Sequence, residues 1–273
     1  MPPGGTGEGG AGRGGAAPDG GRTEPPGPDP LLVAAAALVF VDDPAAPVVG
    51  DADAHHLLDV LRLRPGEAVI AADGAGRWVP CRLAPAPPGA GSRRADPAGL
   101  LVPDGPAVED PRWLPEVTVA FAPTKGDRPE WVAQKLTELG VDRIVPLRTS
   151  RSVVRWDGER GARSVDRLRR VVREAAAQCR RSRLPEVTDV CRLEDVAAVA
   201  GSPMSLADAG GTAPGLDRPV LAVGPEGGWD PAERLAFGPT VGLGIHVLRA
   251  ETAAVTAGAL LCALRTRVVL PLA

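Results

Sequence analysis

From Glu116 onward the chain alternates apolar runs with amphipathic ones, and no other feature narrows the fold as much. Residues 117–122, 143–147, 204–207, 220–223 and 241–244 read as strands, the first of them buried. Between and after them, residues 129–139, 159–180, 193–199, 231–237 and 252–266 read as helices. Asp127 and Gly140 punctuate the first of these, an N-cap and a C-terminal glycine. Asp230-Pro231-Ala232-Glu233 opens the fourth with an N-cap, a proline at N1 and a carboxylate at N3. Strand and helix in alternation imply an α/β domain with a mainly parallel sheet.

The chain before that point has a different grammar. Residues 1–30 are nearly all Gly, Pro, Ala and charge, a composition that cannot offset its ordering entropy and predicts a disordered tail. Residues 31–105 read as short strands broken by turns, a small mostly-β module whose domain is taken as 31–110. Val69-Ile70-Ala71-Ala72 leads through Asp73-Gly74 to Arg77-Trp78-Val79-Pro80-Cys81, the pattern of a hairpin. Before it, "DADAHHLLDVLRLRPGE" (51–67) predicts a short helix stopped by Pro-Gly. Residues 85–98, rich in Pro, Gly and Ala, predict a long loop or a linker. The division between the two regions falls near residue 110, so the larger domain is taken as 111–273.

Aromatic residues make up only 3% of the chain, so a core must come from Val, Leu and Ala, and 44% hydrophobic content is enough to build one. Cys81, Cys179, Cys191 and Cys262 are widely spaced, which argues against a disulfide framework or a zinc site and fits free thiols in a reducing cytosol. The apolar run 31–41 falls short of the roughly 20 residues that span a bilayer. The long tail of mixed charge before it is a poor export signal, so a cytoplasmic protein without membrane contact is expected.

Net charge is only -3, yet it is unevenly spread. Residues 143–183 hold thirteen arginines against four acids, nine positive charges in excess, so the remainder carries twelve negative ones. On a helical wheel of 159–180, Val165, Leu168, Val172, Ala175, Ala176 and Cys179 share one face, and Arg160, Arg163, Arg167 and Arg170 share the opposite one. Such segregation is the expected footprint of a phosphate-backbone contact, although a charge run also serves as a plain solvated helix face.

"AVGPEGGWDPAER" (222–234) puts Gly224-Pro225-Glu226-Gly227-Gly228 directly after the strand ending at Val223. No Gly-Lys-Ser/Thr follows, and neither this loop nor residues 242–247 complete a G-x-G-x-x-G, which disfavours the known phosphate and dinucleotide loops. Glycines at the carboxyl end of a parallel strand still let peptide groups approach a ligand closely. A second such loop occurs in "GLGIHVLRAETAAVTAG" (242–258), where a strand ends in Gly244 and a helix starts near Glu251-Thr252. Two strand-end loops of this kind form a small-ligand crevice.

"GPEGG" followed by "LGIHVLRAETAAVTA" resembles the knotted methyltransferase superfamily that uses S-adenosylmethionine, and in particular the ribosomal RNA small-subunit methyltransferase E family. "KGDRPEWVAQKLTELGVDRIVPLRTSRSVV" (125–154), "AQCRRSRLPEV" (177–187) and "HLLDVLRLRPGE" (56–67) are similar to further segments of that family, so the resemblance covers roughly 38–267. It implies a C-terminal SPOUT domain with a deep trefoil knot, an N-terminal PUA-like β-barrel domain that binds RNA, and a homodimer. It implies S-adenosylmethionine held largely by backbone at Val223, Gly224, Pro225, Glu226, Gly227, Gly228, Gly244 and Thr252, with Leu243, Ile245, Val247 and Leu248 walling the pocket. It also implies methylation of N3 of a uridine in 16S rRNA, with the 30S subunit as partner. In that reaction Arg249 would stabilise the anionic base and Glu251 would take the proton or orient Arg249. His246 is a further candidate base, since imidazole titrates near neutrality, or a replacement for a pocket-lining arginine. RNA contact falls to Arg62 and Arg64 on the small module and to Lys125, Arg128, Arg151, Arg181 and Arg183 on the large one. His55 and His56 read as surface or RNA-facing residues, because a third metal ligand is lacking, and no metal is implied.

The chain departs from the family pattern at His246, where Arg is usual, at Ala250 in place of Thr, at Ala177 in place of Glu, and in lacking an Arg-Phe start. These departures bear on target recognition more than on cofactor binding. Two other readings stay open: a knotted methyltransferase acting on a ribose 2'-hydroxyl or another base, and a ribosome-assembly RNA-binding protein with a disused cofactor pocket.

Overall fold

A computed structural model describes residue 27, residues 29–85 and residues 98–270; the expected tail, apart from its last residues, and most of the loop at 85–98 lie outside the described residues. The small module begins with helix α1 (Pro30–Ala34), capped by Asp29, whose side chain accepts from the Leu31 amide at 2.8 Å. The sequence reading has only strands here and misses this helix. Strand β1 (Ala37–Phe40) follows, then helix α2 (Asp51–His55), which continues as one π-turn (His56–Val60). Strands β2 (Ala68–Ala72) and β3 (Arg77–Leu83) form the expected hairpin, with Val69 opposite Cys81 and Ala72 opposite Trp78. Strands β4 (Leu101–Pro103) and β5 (Val108–Glu109) pair with β3, and β1 joins β2 in parallel, which completes a five-stranded sheet.

The larger sheet is α/β and, as expected, parallel. Strand β6 (Thr118–Phe121) leads into helix α3 (Arg128–Leu139), then strand β7 (Arg143–Arg148) and helix α4 (Gly158–Gln178). Strands β8 (Glu186–Val187) and β9 (Cys191–Arg192) precede a 3-10 turn (Leu193–Asp195) and helix α5 (Val196–Ala200). Strands β10 (Met204–Thr212) and β11 (Val220–Val223), helix α6 (Pro231–Ala236), strand β12 (Thr240–Val241) and helix α7 (Ala250–Arg265) complete the order. The sheet runs β12-β10-β11-β6-β7-β8, with β9 on β7, every pairing parallel.

Every residue of β6 and of β11 is buried, which a parallel sheet requires when both faces are covered. Val119, Phe121, Leu221 and Val223 face one layer, with Leu136 of α3, Leu168 of α4 and Leu261 of α7. Ala120, Val220 and Ala222 face the other, with Leu193, Val196 and Trp229. Helix α7 lies close on α3 because residue 258 is glycine: a Cβ there would stand 2.6 Å from the Leu136 side chain. Burial in these layers pushes the Cys262 thiol up to about 11, and burial in the small sheet does the same for Cys81.

Two expected boundaries move. The strand predicted at 241–244 stops at Val241, and β10 runs on to Thr212 instead of ending at 207, with an irregular step between Ala207 and Thr212. The cause is a close passage of two backbones. A Cβ on Gly211 would stand 2.6 Å from the backbone of Thr240 and Val241, and one on Gly242 would stand 2.9 Å from the Gly211 oxygen.

The two sheets meet along the end of α4 and the segment after it. Ala176, Ala177 and Leu184 pack with Leu32, Leu38, Phe40, Ile70 and Trp78. Arg173 donates to the Phe40 carbonyl at 2.8 Å and stands 5.0 Å from its ring centroid; Arg180 donates to the Ala36 carbonyl at 2.6 Å. Asp110 takes hydrogen bonds from Trp78 Nε1 at 3.0 Å and from Ser182, and its carbonyl accepts from Arg183 at 3.0 Å.

At the amino edge of the large sheet, Asp142 accepts from the Val117 amide at 2.8 Å, pairs with the buried Arg265, and lies 3.6 Å from Arg181. Its loss strands two buried guanidinium groups, and breaking such a cluster from one side costs about 3–5 kcal/mol. Asp142→Ala is therefore expected to lower the unfolding free energy from urea titration by that order. A loss under 1 kcal/mol in equilibrium unfolding would show that the cluster is not a stabilising hub.

Candidate functional site

All parallel strands of the large sheet end at one edge, and their following loops gather there. After Val223 the chain turns at Gly224-Pro225, and the Gly228 amide donates back to the Pro225 carbonyl at 2.8 Å with Gly228 at φ +68°. Trp229 is then buried, its Nε1 donating to the Ala207 carbonyl at 2.9 Å. The indole lies against Gly224, where a Cβ would meet Cε2 at 3.1 Å, so a side chain at 224 competes with the ring. Asp230 caps α6 by accepting from Ala232, and Glu233 returns the bond to the Asp230 amide, completing the predicted capping box.

Glu233 also binds the loop after β7, accepting from the Ser150 amide at 2.8 Å. Arg151 closes the same junction, with Nη1 3.2 Å from the Gly227 carbonyl and Nε 3.7 Å from Asp230. The glycine loop is thus clasped from outside by the loop after β7.

Between this loop, the irregular step of β10 and residues 243–250 lies a cavity of about 380 Å³. Val223, Leu243, Leu248, Ala250 and Ala253 give it apolar walls, while Asp208, Glu226, His246 and Arg249 supply charge or titratable groups. Gly224, Pro225, Gly228, Gly244 and Val247 complete the expected set found there. Gly227, Ile245 and Thr252 do not line it: the Gly227 carbonyl is taken by Arg151, and Ile245 is 95% exposed. The sequence reading misses Asp208, Ala209 and Trp229. The signal was available, since Gly210-Gly211 follows the strand at 204–207 just as Gly224 follows the one at 220–223.

Arg249 is the N-cap residue of α7, exposed, with no side-chain partner among the described residues. Glu251 sits in the first turn of α7, where the helix dipole favours a carboxylate. Its side chain is 12% exposed, Oε1 lies 3.6 Å from Arg128 Nε, and Oε2 is buried without a hydrogen-bond partner. Arg128, expected on the RNA surface, is thereby tied to the candidate site. Lys125 is exposed on the loop after β6, and Arg62 and Arg64 are exposed beside the turn before β2.

Arg181 and Arg183 depart from expectation. Arg181 is largely buried, donating to the Thr137 carbonyl at 3.0 Å and paired with Asp142, and burial lowers its pKa. Arg183 is half-buried and bound to Asp110. Both are matched to partners within the protein and hold the junction of the sheets, which withdraws them from an RNA-facing surface. His55 is exposed and bonds Asp59 at 2.7 Å. Among the described residues no cluster of three or more His, Cys, Asp or Glu is placed to hold a metal ion, and no helix is long and apolar enough to cross a membrane.

An apolar crevice rimmed by peptide groups and a few charges takes a small amphipathic ligand, with a guanidinium at its mouth to meet negative charge. Comparison with known proteins adds to this. A family model described as an RNA methyltransferase domain matches residues 112–262, and one described as an RNA methyltransferase PUA domain matches 49–90. The chain is 35% identical over 250 residues to ribosomal RNA small subunit methyltransferase E of Mycobacterium bovis, covering 81% of this chain and 89% of that protein. It is 31% identical to the Bacillus subtilis protein of the same name, covering 77% and 86%. A crystal structure of ribosomal RNA small subunit methyltransferase E from Neisseria gonorrhoeae bound to S-adenosyl methionine superposes with a TM-score of 0.66 at 28% identity, covering 84% of this chain and 97% of that one.

Two glycine substitutions separate the constraints on the loop. Gly228→Ala meets no atom within 4 Å, so its cost is the left-handed backbone alone, about 1–2 kcal/mol of unfolding free energy from urea titration. Gly224→Ala instead presses on the Trp229 ring and is expected to change its fluorescence; an unaltered emission spectrum would mean that the indole does not rest on residue 224.

Proposed function

Because the chain belongs to the ribosomal RNA small subunit methyltransferase E family, we propose that it transfers a methyl group from S-adenosylmethionine to N3 of one uridine in 16S rRNA of the 30S subunit. The observation that carries this reading is the cavity at the carboxyl edge, with its glycine loop on one side and Arg249 at the rim. Its residues fit the cofactor: apolar walls for a nucleoside, glycines at 224 and 228 that let the backbone come close, and a volume within the small-ligand range of about 300–1,000 Å³. When bound, S-adenosylmethionine supplies an electrophilic sulfonium methyl.

The protein's part is positioning and charge. Oriented reactants lower a barrier by roughly 7–11 kcal/mol. Loss of the N3 proton leaves uracil anionic, and the exposed Arg249 guanidinium is the cation that meets that charge. Glu251 keeps one oxygen toward Arg128 and the other buried, so it acts as a positioning residue, holding the first turn of α7 beneath Arg249. The proton leaves at the open rim, which carries Glu226 and His246. The module at 31–110 serves as the PUA-like RNA-binding domain, with Arg62, Arg64, Lys125 and Arg151 as further contacts. The passage of Gly211 against Gly242 belongs, on this reading, to the trefoil-knotted crossing, and the protein works in the cytoplasm.

Incubation with labelled S-adenosylmethionine and 30S subunits lacking the modification, followed by nuclease digestion and mass spectrometry, is expected to place label on N3 of a single uridine. Label on a ribose would replace this reading with 2'-O-methylation. Absence of both label and cofactor binding would leave a non-catalytic RNA-binding protein. Arg249→Ala is expected to slow turnover by about 10²–10³ with cofactor affinity nearly unchanged.

We also infer a homodimer, as the family resemblance implies, with Leu235, Ile245 and Val247, 89–95% exposed, as the apolar side chains it would cover. Sedimentation of wild type as a dimer and of Ile245→Asp/Val247→Asp as a monomer is the expected result; a monomeric wild type would sink the inference.

A further inference from the structure

The arginine excess noted in the sequence divides in two once folded. Arg143, Arg148, Arg169, Arg173, Arg180, Arg181 and Arg183 are matched to carboxylates or carbonyls of the protein. The face of α4 turned away from Val165, Leu168 and Val172 is different. Arg160 and Arg170 on that face, and Arg155 just before the helix, have no side-chain partner among the described residues. Arg163 is 3.4 Å from Glu159 with both side chains more than 70% exposed, a pair of little worth. Arg167 is 3.1 Å from Glu130, which lies on α3 two residues beyond Arg128, the partner of Glu251.

Like charges three and four residues apart destabilise a helix by about 0.2–0.5 kcal/mol per pair. Apart from the Arg167–Glu130 pair, folding therefore gives no reason for this stripe; Glu159 and Glu174 near its two ends do not balance it, and Asp166 between them is held by Arg169. Its course is informative. A helix of 21 residues is about 30 Å long. It starts at the carboxyl edge, after the loop whose Arg151 clasps Gly227, and its other end, through Arg173 and Arg180, rests on the small module.

We propose that the exposed arginine face of α4 is a rail for an RNA phosphate backbone, running from the small module to the edge that holds the cavity. This rests on the RNA methyltransferase reading and adds to it the surface along which the RNA lies. An acidic protein is the lesser candidate, because none of the large exposed apolar side chains lies on α4 to anchor a protein interface.

The test is Arg160→Gln/Arg163→Gln/Arg170→Gln, which removes charge while keeping good helix formers. Binding of a 16S rRNA transcript and of 30S subunits is measured by filter retention from about 50 to 200 mM salt, with S-adenosylmethionine affinity measured alongside. The rail predicts transcript binding weakened tenfold or more, a log–log salt slope shallower by about 2–3 for three lost contacts, cofactor affinity unchanged and a melting temperature that does not fall. An unchanged affinity and slope against a wild type that binds would overturn the rail and leave the proposed function standing. Weakened binding to 30S subunits with transcript binding intact would overturn it in favour of a protein partner. A wild type that binds neither probe would remove the RNA reading and the rail together.

Discussion

Asp142 joins three segments that are far apart in the chain: the amide that opens β6, the arginine near the end of α7, and the arginine strap leading from α4 toward the small sheet. A largely buried carboxylate is tolerated only when its lone pairs are met, and here two guanidinium groups and a backbone amide meet them. The amino edge of the parallel sheet is closed by this arrangement. The opposite edge is thereby left as the place where loops can be shaped for a ligand, which is where open α/β sheets bind.

At that carboxyl edge the loops are held by short-range devices rather than by a large core. A tryptophan laid on Gly224, a capping box on α6 and an arginine reaching back from β7 fix the glycine loop before any ligand arrives. Such preorganisation matters for group transfer, where the protein's largest contribution is orientation. The pair Arg128–Glu251 extends the same logic to the start of α7, and the pair Arg167–Glu130 reaches outward to the arginine face of α4.

How much of this was legible in the sequence depended on range. Helix α3, the hairpin of β2 and β3, strand β11 and the cap of α6 were readable, because proline, glycine and a capping carboxylate punctuate clear periodicity within a few residues. Helix α1 carries the same Asp-Pro opening as α6, yet its five residues are too few for a period to show. The extension of β10 and the early end of β12 follow from contact between Gly211 and Gly242, which no local pattern encodes. In the site, Val223, Gly224, Leu243, Leu248 and Arg249 came from loop chemistry together with the family resemblance, and they gather as expected. The arginines did not sort themselves. Charge alone could not tell Arg181, neutralised by an acid 39 positions earlier, from Arg160, which has no side-chain partner among the described residues.

The order in which these parts become available has its own consequence. Arg265 meets Asp142 across 123 positions, and the cavity draws all its walls from residues 207–253. A chain emerging from the ribosome at roughly 5–20 residues per second would carry the small sheet, β6, β7 and the whole of α4 for some seconds before either feature could form. During synthesis the arginine face of α4 is therefore exposed earlier than the pocket it serves. The nascent protein is cationic along one helix while its substrate class, RNA, makes up much of the machine producing it.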